Sequence, residues 1–218
     1  MERQHDWPVT LNDAEVTLRP HERSDLAAWR EVRLANQSWL EPWEATALGS
    51  WEQRHGPRAF RQMVRAQRRP ARLGQVMPFV LCYRDKFAGQ LTVGNIVRGA
   101  FFSATVGYWL DERLAGRGIM PTALALACDF CFFTAGLHRI EVNIRPENVA
   151  SRRVVEKLRF RYEGFHSRFL HIDGEWRDHL GYALTAEDAA PHGVLAQWRS
   201  NADERNPSRR WFGVAAAE

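Results

Sequence analysis

At 218 residues, 45% hydrophobic and 11% aromatic, the chain is long enough for one sizeable core and has the composition of a globular protein. Lysine and arginine exceed aspartate and glutamate by 30 − 26 = +4, a surplus spread along the chain, so direct nucleic-acid binding is not expected. The stretch MERQHDWPVTL has charges and a proline where a signal peptide needs an apolar run, Asp129 breaks the longest apolar stretch, and three cysteines cannot all pair within the chain; the expectation is a cytoplasmic protein with reduced thiols and no membrane segment.

In chain order, AEVTLRP at 14–20 alternates and ends at a proline, which predicts an opening strand. Ser24 is placed to cap a helix carrying Leu26, Trp29 and Val32 at three-residue spacing. The segment WLEPWEATA interrupts before a second helical stretch from about residue 52 to about 69, and the arginines of RQMVRAQRRPAR have the spacing of a solvated helix face. MPFVLCYR, KFAGQLTVGNIV and FFSATVGYWL then read as three strands joined by the short turns RDK and RGA, an antiparallel meander.

Gly116 and Gly118 stand directly before a helix whose Ile119, Leu124, Ala127, Cys128 and Cys131 recur at helical spacing. Glycine there permits close approaches that a side chain would block, and the helix behind it presents unpaired N–H groups and the positive end of its dipole. Together they make a cradle for an anion, most often a phosphate. The loop fits neither the dinucleotide fingerprint nor the Walker pattern, because residue 121 is proline and no Gly-Lys-Ser/Thr occurs. Cys128 and Cys131 have redox spacing but lie on the apolar face inside a helix and read as core; the eight histidines show no zinc-protease spacing, so no metal is implied.

HRIEVNIRP alternates strictly, with Ile140, Val142 and Ile144 on one face and Arg139, Glu141, Asn143 and Arg145 on the other. A short helix follows, with Asn148 as its N-cap and Val154, Val155 and Leu158 inward. RFRYEGFHSRFLHI and EWRDHLGYALT close the domain as a hairpin turning at Asp173 and Gly174. This order predicts an α/β (α+β) fold over residues 1–187, a mixed, mostly antiparallel sheet of about six or seven strands with helices on both faces. Residues 188–218 turn polar and irregular and read as a tail, mobile or docked through Trp198, Trp211 and Phe212.

The strand–glycine loop–helix–strand series with its NIRPENVAS ending resembles the GNAT superfamily of N-acetyltransferases, over roughly residues 13 to 187. LEPWEA, NIVRGAFFSATVGYWL, GRGIM, HRI, the LRF and EGF pair and IDGEWRDH, in that order, are similar to the RimJ branch, the ribosomal-protein-alanine N-terminal acetyltransferases. The resemblance implies a GNAT fold and acetyl-CoA as acetyl donor. Residues Leu114, Ala115, Gly116, Arg117, Gly118, Ile119 and Met120 would hold the pyrophosphate. The backbone of Tyr108, Trp109 and Leu110 would pair with the pantetheine arm as an added strand, and Arg113, Asn143, Asn148 and Ser151 would complete the cofactor site. It also implies a protein N-terminus, of a ribosomal protein, as acceptor.

An amine attacking a thioester must be neutral, and the departing sulfur needs a proton. Asn148 as N-cap puts Ser151 in the first helical turn, and related ribosomal acetyltransferases assign a serine at this motif position as that proton donor; the plainer reading is that Ser151 caps its own helix. Glu44 and Glu141 are the candidate bases, acting directly or through water. Glu44 could instead attract the ammonium form, and Glu141 could be paired with Arg139 or Arg145. Trp39, Trp43 and Trp109 read as packing residues, the first two as walls of the acceptor cleft. Two rival readings stand: acetylation of a small amine or antibiotic, and a ribosome-associated or RNA-binding module that has lost catalysis, which the arginine content favours; Gly116, Gly118, Asn148 and Ser151 argue against loss of cofactor binding.

Overall fold

The structure, a computed structural model, describes residues 7–205. Its strands are β1 (Leu11–Asp13), β2 (Val16–Pro20), β3 (Met77–Tyr83), β4 (Lys86–Val97), β5 (Ser103–Leu110), β6 (Arg139–Ile144), β7 (Arg161–Ile172) and β8 (Glu175–Thr185). They form one eight-stranded sheet in the order β1-β2-β3-β4-β5-β6-β8-β7. All neighbours are antiparallel except β5 and β6. The predicted mixed sheet is therefore present. The strand beyond the expected number is β1, three residues that carry too little alternation to be read from sequence.

Helices cover both faces. On one lie α1 (Asp25–Ala35), the short α2 (Gln37–Leu40) and α3 (Trp51–Arg54), and α4 (Pro57–Arg72); on the other lies α5 (Ile119–Asp129), with α6 (Val149–Lys157) against it. Alternation along the strands sorts the two cores. Leu18, Phe79, Leu81, Leu91, Val93 and Val106 pack with Ile119, Leu124, Cys128 and Cys131 under α5. Burial pushes the Cys131 thiol up to about 12, so both thiols are inert core groups. On the opposite face Trp29, Trp51, His55 and Phe60 pack ring on ring in tilted pairs, with centroids 4.0–5.4 Å apart. The Trp29 and Trp109 indoles both donate to Gln90 Oε1, at 3.0 and 2.9 Å, which satisfies a buried amide in the middle of the sheet.

Turn chemistry sets the meander and the hairpin. Arg84 (φ 51°) and Asp85 (φ 61°) form a two-residue left-handed turn between β3 and β4, and Asp173 (φ 48°) and Gly174 (φ 80°) do the same between β7 and β8. Other local expectations are corrected. Ser24 has helical backbone and makes no side-chain capping bond. Asp25 instead accepts the Glu22 N–H at 2.7 Å and the Arg19 guanidinium at 2.9 and 2.6 Å. The second helical stretch is two helices, because Gly56 and Pro57 end α3 and restart the chain as α4. β5 begins at Ser103, since Phe101 and Phe102 are exposed and Phe102 has a positive φ.

Among the described residues beyond β8, to residue 205, the chain is largely helical: α7 (Ala186–Ala189) and α8 (Val194–Arg205) follow, and α8 lies along α5. Asp129 accepts the Val194 and Leu195 N–H groups at 2.6 and 3.1 Å, capping α8 from the end of α5, and Trp198 Nε1 donates to Thr122 Oγ1 at 3.1 Å. Trp211 and Phe212, expected to help dock this segment, lie outside the described residues. No helix among the described residues is long and apolar enough to cross a membrane.

Candidate active site

The site begins as a fault in the sheet. β5 and β6 pair only through Ser103–Arg139, Ala104–Ile140 and Thr105–Glu141. Past that point β5 continues on β4 as far as Leu110 and β6 continues on β8 as far as Ile144, with no rung between them. A wedge opens between the two strands, and its flanking edges carry backbone groups that the sheet does not pair. A cleft of about 730 Å³ fills the wedge, floored by Val106–Leu110 and Val142–Ile144 and closed by the start of α5, the start of α6, and Trp39, Trp43 and Glu44.

At one end lies the glycine loop. Gly116 (φ 79°) and Gly118 (φ 80°) both have left-handed backbone, and a Cβ at Gly116 would meet no heavy atom within 4 Å. No side chain caps α5, and Pro121 has no N–H, so the Ile119 and Met120 amides are left for a ligand. The approach to the loop is held by Asp111, buried, which accepts the Arg113 N–H at 3.1 Å and its guanidinium at 2.6 Å, while Asn36 Oδ1 accepts the Glu112 N–H at 2.8 Å. Trp39 Nε1 donates to the Leu110 carbonyl at 3.2 Å. Arg153 and Lys157 of α6 add positive charge to the cleft wall.

Deeper in, Asn148 Oδ1 accepts the Ser151 N–H at 3.0 Å, so Asn148 caps α6 and the Ser151 hydroxyl is not needed for that task. The hydroxyl instead donates to the Tyr108 phenol oxygen at 2.9 Å, and the phenol donates to the Ser151 carbonyl at 3.2 Å. Burial pushes the Tyr108 pKa up, a bond from Ser151 opposing it, so the phenol keeps its proton.

Glu44 sits in the cleft wall in an ion pair with Arg33, whose guanidinium lies 4.1 Å from the Trp109 ring centroid. Burial lowers the Arg33 pKa against the opposing pull of Glu44, so the pair is part of the packed wall. The hairpin tip fixes this segment: Asp173 N–H donates to the Glu44 carbonyl at 3.1 Å and Thr46 N–H to the His171 carbonyl at 3.0 Å.

The structure thus brings together Glu44, Tyr108, Trp109, Leu110, Ala115, Gly116, Gly118, Ile119, Met120, Asn143, Asn148 and Ser151 around one cleft. It leaves others out. Glu141 lies on the last β5–β6 rung, before the wedge opens, and is bound to Arg139 at 2.6 Å, so it is not a cleft residue. Arg113 faces Asp111, Leu114 packs toward the core, and Arg117 does not line the cleft. Sequence reasoning missed Arg33, Arg145, Arg153, Lys157 and His179, all in the wall. Arg33 and Arg145 reach the cleft through tertiary contacts that no local pattern encodes, the ion pair of Arg33 with Glu44 and the 2.7 Å bond from Arg145 Nη1 to the Pro42 carbonyl, whereas Arg153 and Lys157 lie on α6 a turn or two beyond Asn148. Among the described residues no group of three or more His, Cys, Asp or Glu is placed to hold a metal.

Comparison with known proteins agrees with this geometry. The acetyltransferase (GNAT) domain family matches residues 15–161. A probable N-acetyltransferase, YjcK of Bacillus subtilis (strain 168), is 39% identical over 104 residues, 48% of this chain and 58% of that protein. The [ribosomal protein uS5]-alanine N-acetyltransferase of Escherichia coli (strain K12) is 33% identical over 171 residues, 77% of this chain and 87% of that protein. The structure of Mycobacterium smegmatis RimJ in complex with CoA-disulfide superposes with a TM-score of 0.87 at 41% identity, covering 90% of this chain and 96% of that one. A split sheet with a glycine loop at one end of the split, matched along most of its length, places this chain in the GNAT family of acetyltransferases.

Proposed function

We propose that the chain transfers an acetyl group from acetyl-CoA to the N-terminal α-amine of a protein, a ribosomal protein with an N-terminal alanine, in the cytoplasm. One observation carries the reading: a hydroxyl freed from capping duty, Ser151 Oγ on Tyr108 Oη at 2.9 Å, stands at the cleft wall beyond a phosphate-compatible glycine loop. Acetyl-CoA supplies an activated acyl group and a thiolate leaving group. The open β5 edge offers backbone partners to an extended arm, the α5 amides and Gly116 suit a pyrophosphate, and Arg153 and Lys157 suit further phosphate.

Ser151 then gives its proton to the departing sulfur, and the positive end of α6 favours charge building there. Tyr108 orients the serine. Glu44, held by Arg33 and the hairpin tip, presents negative charge to the ammonium form of the acceptor. The α-amine fits this machinery because its pKa, about 7.7–8.0 against about 10.4 for lysine, lets it shed a proton with little help. The acceptor assignment is supported by the E. coli relative.

A mass-spectrometric screen of peptides with acetyl-CoA tests the reading. Peptides beginning with alanine become acetylated at the N-terminus, and blocking that terminus abolishes the reaction even when an internal lysine is present. Efficient acetylation of lysine in the blocked peptide, or of small amines alone, overturns the acceptor.

A further inference from the structure

A protonated amine must lose a proton, to solvent or to a group in the cleft, before it attacks, and a base in the cleft keeps the bound amine neutral. The cleft wall holds few candidates. Arg33, Arg145, Arg153 and Lys157 are donors without an acceptor atom, the Tyr108 phenol stays protonated, and Glu44 is bound to Arg33. That leaves His179, the histidine of the IDGEWRDH segment, only 4% exposed yet part of the cleft wall.

Its placement follows from the sheet. On β8 it lies next to Leu180, which pairs with Ile144 at the last residue of β6, so it stands where the wedge is widest. His179 Nδ1 is 3.0 Å from the Arg177 carbonyl of its own strand. A carbonyl only accepts, so Nδ1 carries the hydrogen and Nε2 keeps its lone pair. Among the described residues no hydrogen bond reaches Nε2, and that atom is not sealed from solvent. Across the hairpin His166 pairs with His179 in register, and the Phe169 ring packs edge-on at 5.8 Å, so the imidazole is held among aromatic neighbours.

Resting on the reading of this cleft as an acetyltransferase site, we propose that His179 is the catalytic proton acceptor for the incoming amine. Its Nε2 takes one proton from the ammonium group, directly or through one water. The nitrogen then bonds to the acetyl carbon as the carbon–sulfur bond breaks, Ser151 Oγ passes its proton to the sulfur and regains one from the same nitrogen, and His179 releases the first proton to solvent. The products are the amide, free CoA thiol and one proton.

The groups around the ring keep it neutral. Burial lowers its pKa from the ordinary 6.5, and Arg145 and His166 push the same way, against the Arg177 carbonyl and Asp178. Protonation therefore switches the base off only below about pH 6.5, and kcat falls on that acidic side.

The experiment compares wild type with His179→Gln and His179→Ala on a peptide beginning with alanine, following thiol release from pH 5 to 9. In His179→Gln, kcat falls by about 10²-fold or more, the acidic limb of the kcat profile disappears, and acetyl-CoA affinity measured by calorimetry is unchanged. Added imidazole restores part of the His179→Ala rate. A variant that keeps kcat within a few-fold with the same acidic limb overturns the proposal. Where either variant fails to fold, the wild type decides: the midpoint of its acidic limb must coincide with the His179 titration followed by NMR, and a mismatch overturns the proposal equally. A wild type that acetylates a different amine overturns the N-terminal acceptor alone, and the same arms are then run with that amine.

Discussion

Replacing Gly116 with alanine separates what the loop costs the fold from what it does for the ligand. Its φ of 79° lies in the left-handed region, where an L-residue costs roughly 1–2 kcal/mol, and the new Cβ meets nothing within 4 Å, so no clash adds to that cost. In a chain of this size 1 kcal/mol moves the melting temperature by about 2–4 °C, so the ligand-free protein melts about 2–8 °C lower. Acetyl-CoA at about 100 times its dissociation constant adds about 2.7 kcal/mol to the wild type, a rise of about 5–11 °C. In Gly116→Ala the methyl stands where a phosphate must approach the backbone, and that rise collapses. Gly118→Val is the less clean test, because a Cβ there meets Trp198 Cζ2 at 3.5 Å and the variant perturbs α8 as well as the loop. Differential scanning fluorimetry with and without acetyl-CoA reads both quantities. A lowered ligand-free melt with the full ligand-induced rise refutes the phosphate assignment.

Ser151→Ala lowers turnover by roughly 10²-fold or more with acetyl-CoA affinity unchanged, and Tyr108→Phe lowers it less; steady-state rates beside calorimetric affinities check both. Glu44→Gln raises the peptide KM with kcat largely retained, and it lowers the melting temperature because the buried Arg33 loses its partner, a loss on the order of 1–3 kcal/mol. Arg153→Ala and Lys157→Ala weaken acetyl-CoA binding by an amount that shrinks as salt rises, measured by titration at two ionic strengths.

The parts of this molecule that were legible are those written in local periodicity and turn chemistry. The burial of β6 alternates residue by residue as Ile140, Val142 and Ile144 required, Asn148 caps α6, and the Asp173–Gly174 hairpin turns where two left-handed residues allow it. Glu141 shows where local pattern ceases to determine position. Alternation correctly put it on the face shared with Asn143, but the wedge opens one rung later, and the point at which a parallel pair splays is a property of two strands in the sheet. His179 and Arg33 were invisible for the same reason: each becomes a cleft residue only when segments more than a hundred positions apart, or a helix and a sheet, are brought together. The α8 helix escaped because its sequence has no clean apolar stripe, and it is held instead by a carboxylate and an indole on α5.

That carboxylate has a consequence for where the folding unit ends. Asp129 closes α5 half-buried, burial raising its pKa even with the Val194 and Leu195 amides on its two oxygens, and Gly193 is glycine where a Cβ would stand 2.9 Å from Oδ2. A chain stopped at residue 193 strips the carboxylate of both donors, a deficit on the order of 1–3 kcal/mol, and vacates the indole that abuts Gly118. Trimming at the C-terminus is felt some distance away, at the amides that open α5, so a chain shortened to residue 193 has a loosened glycine loop.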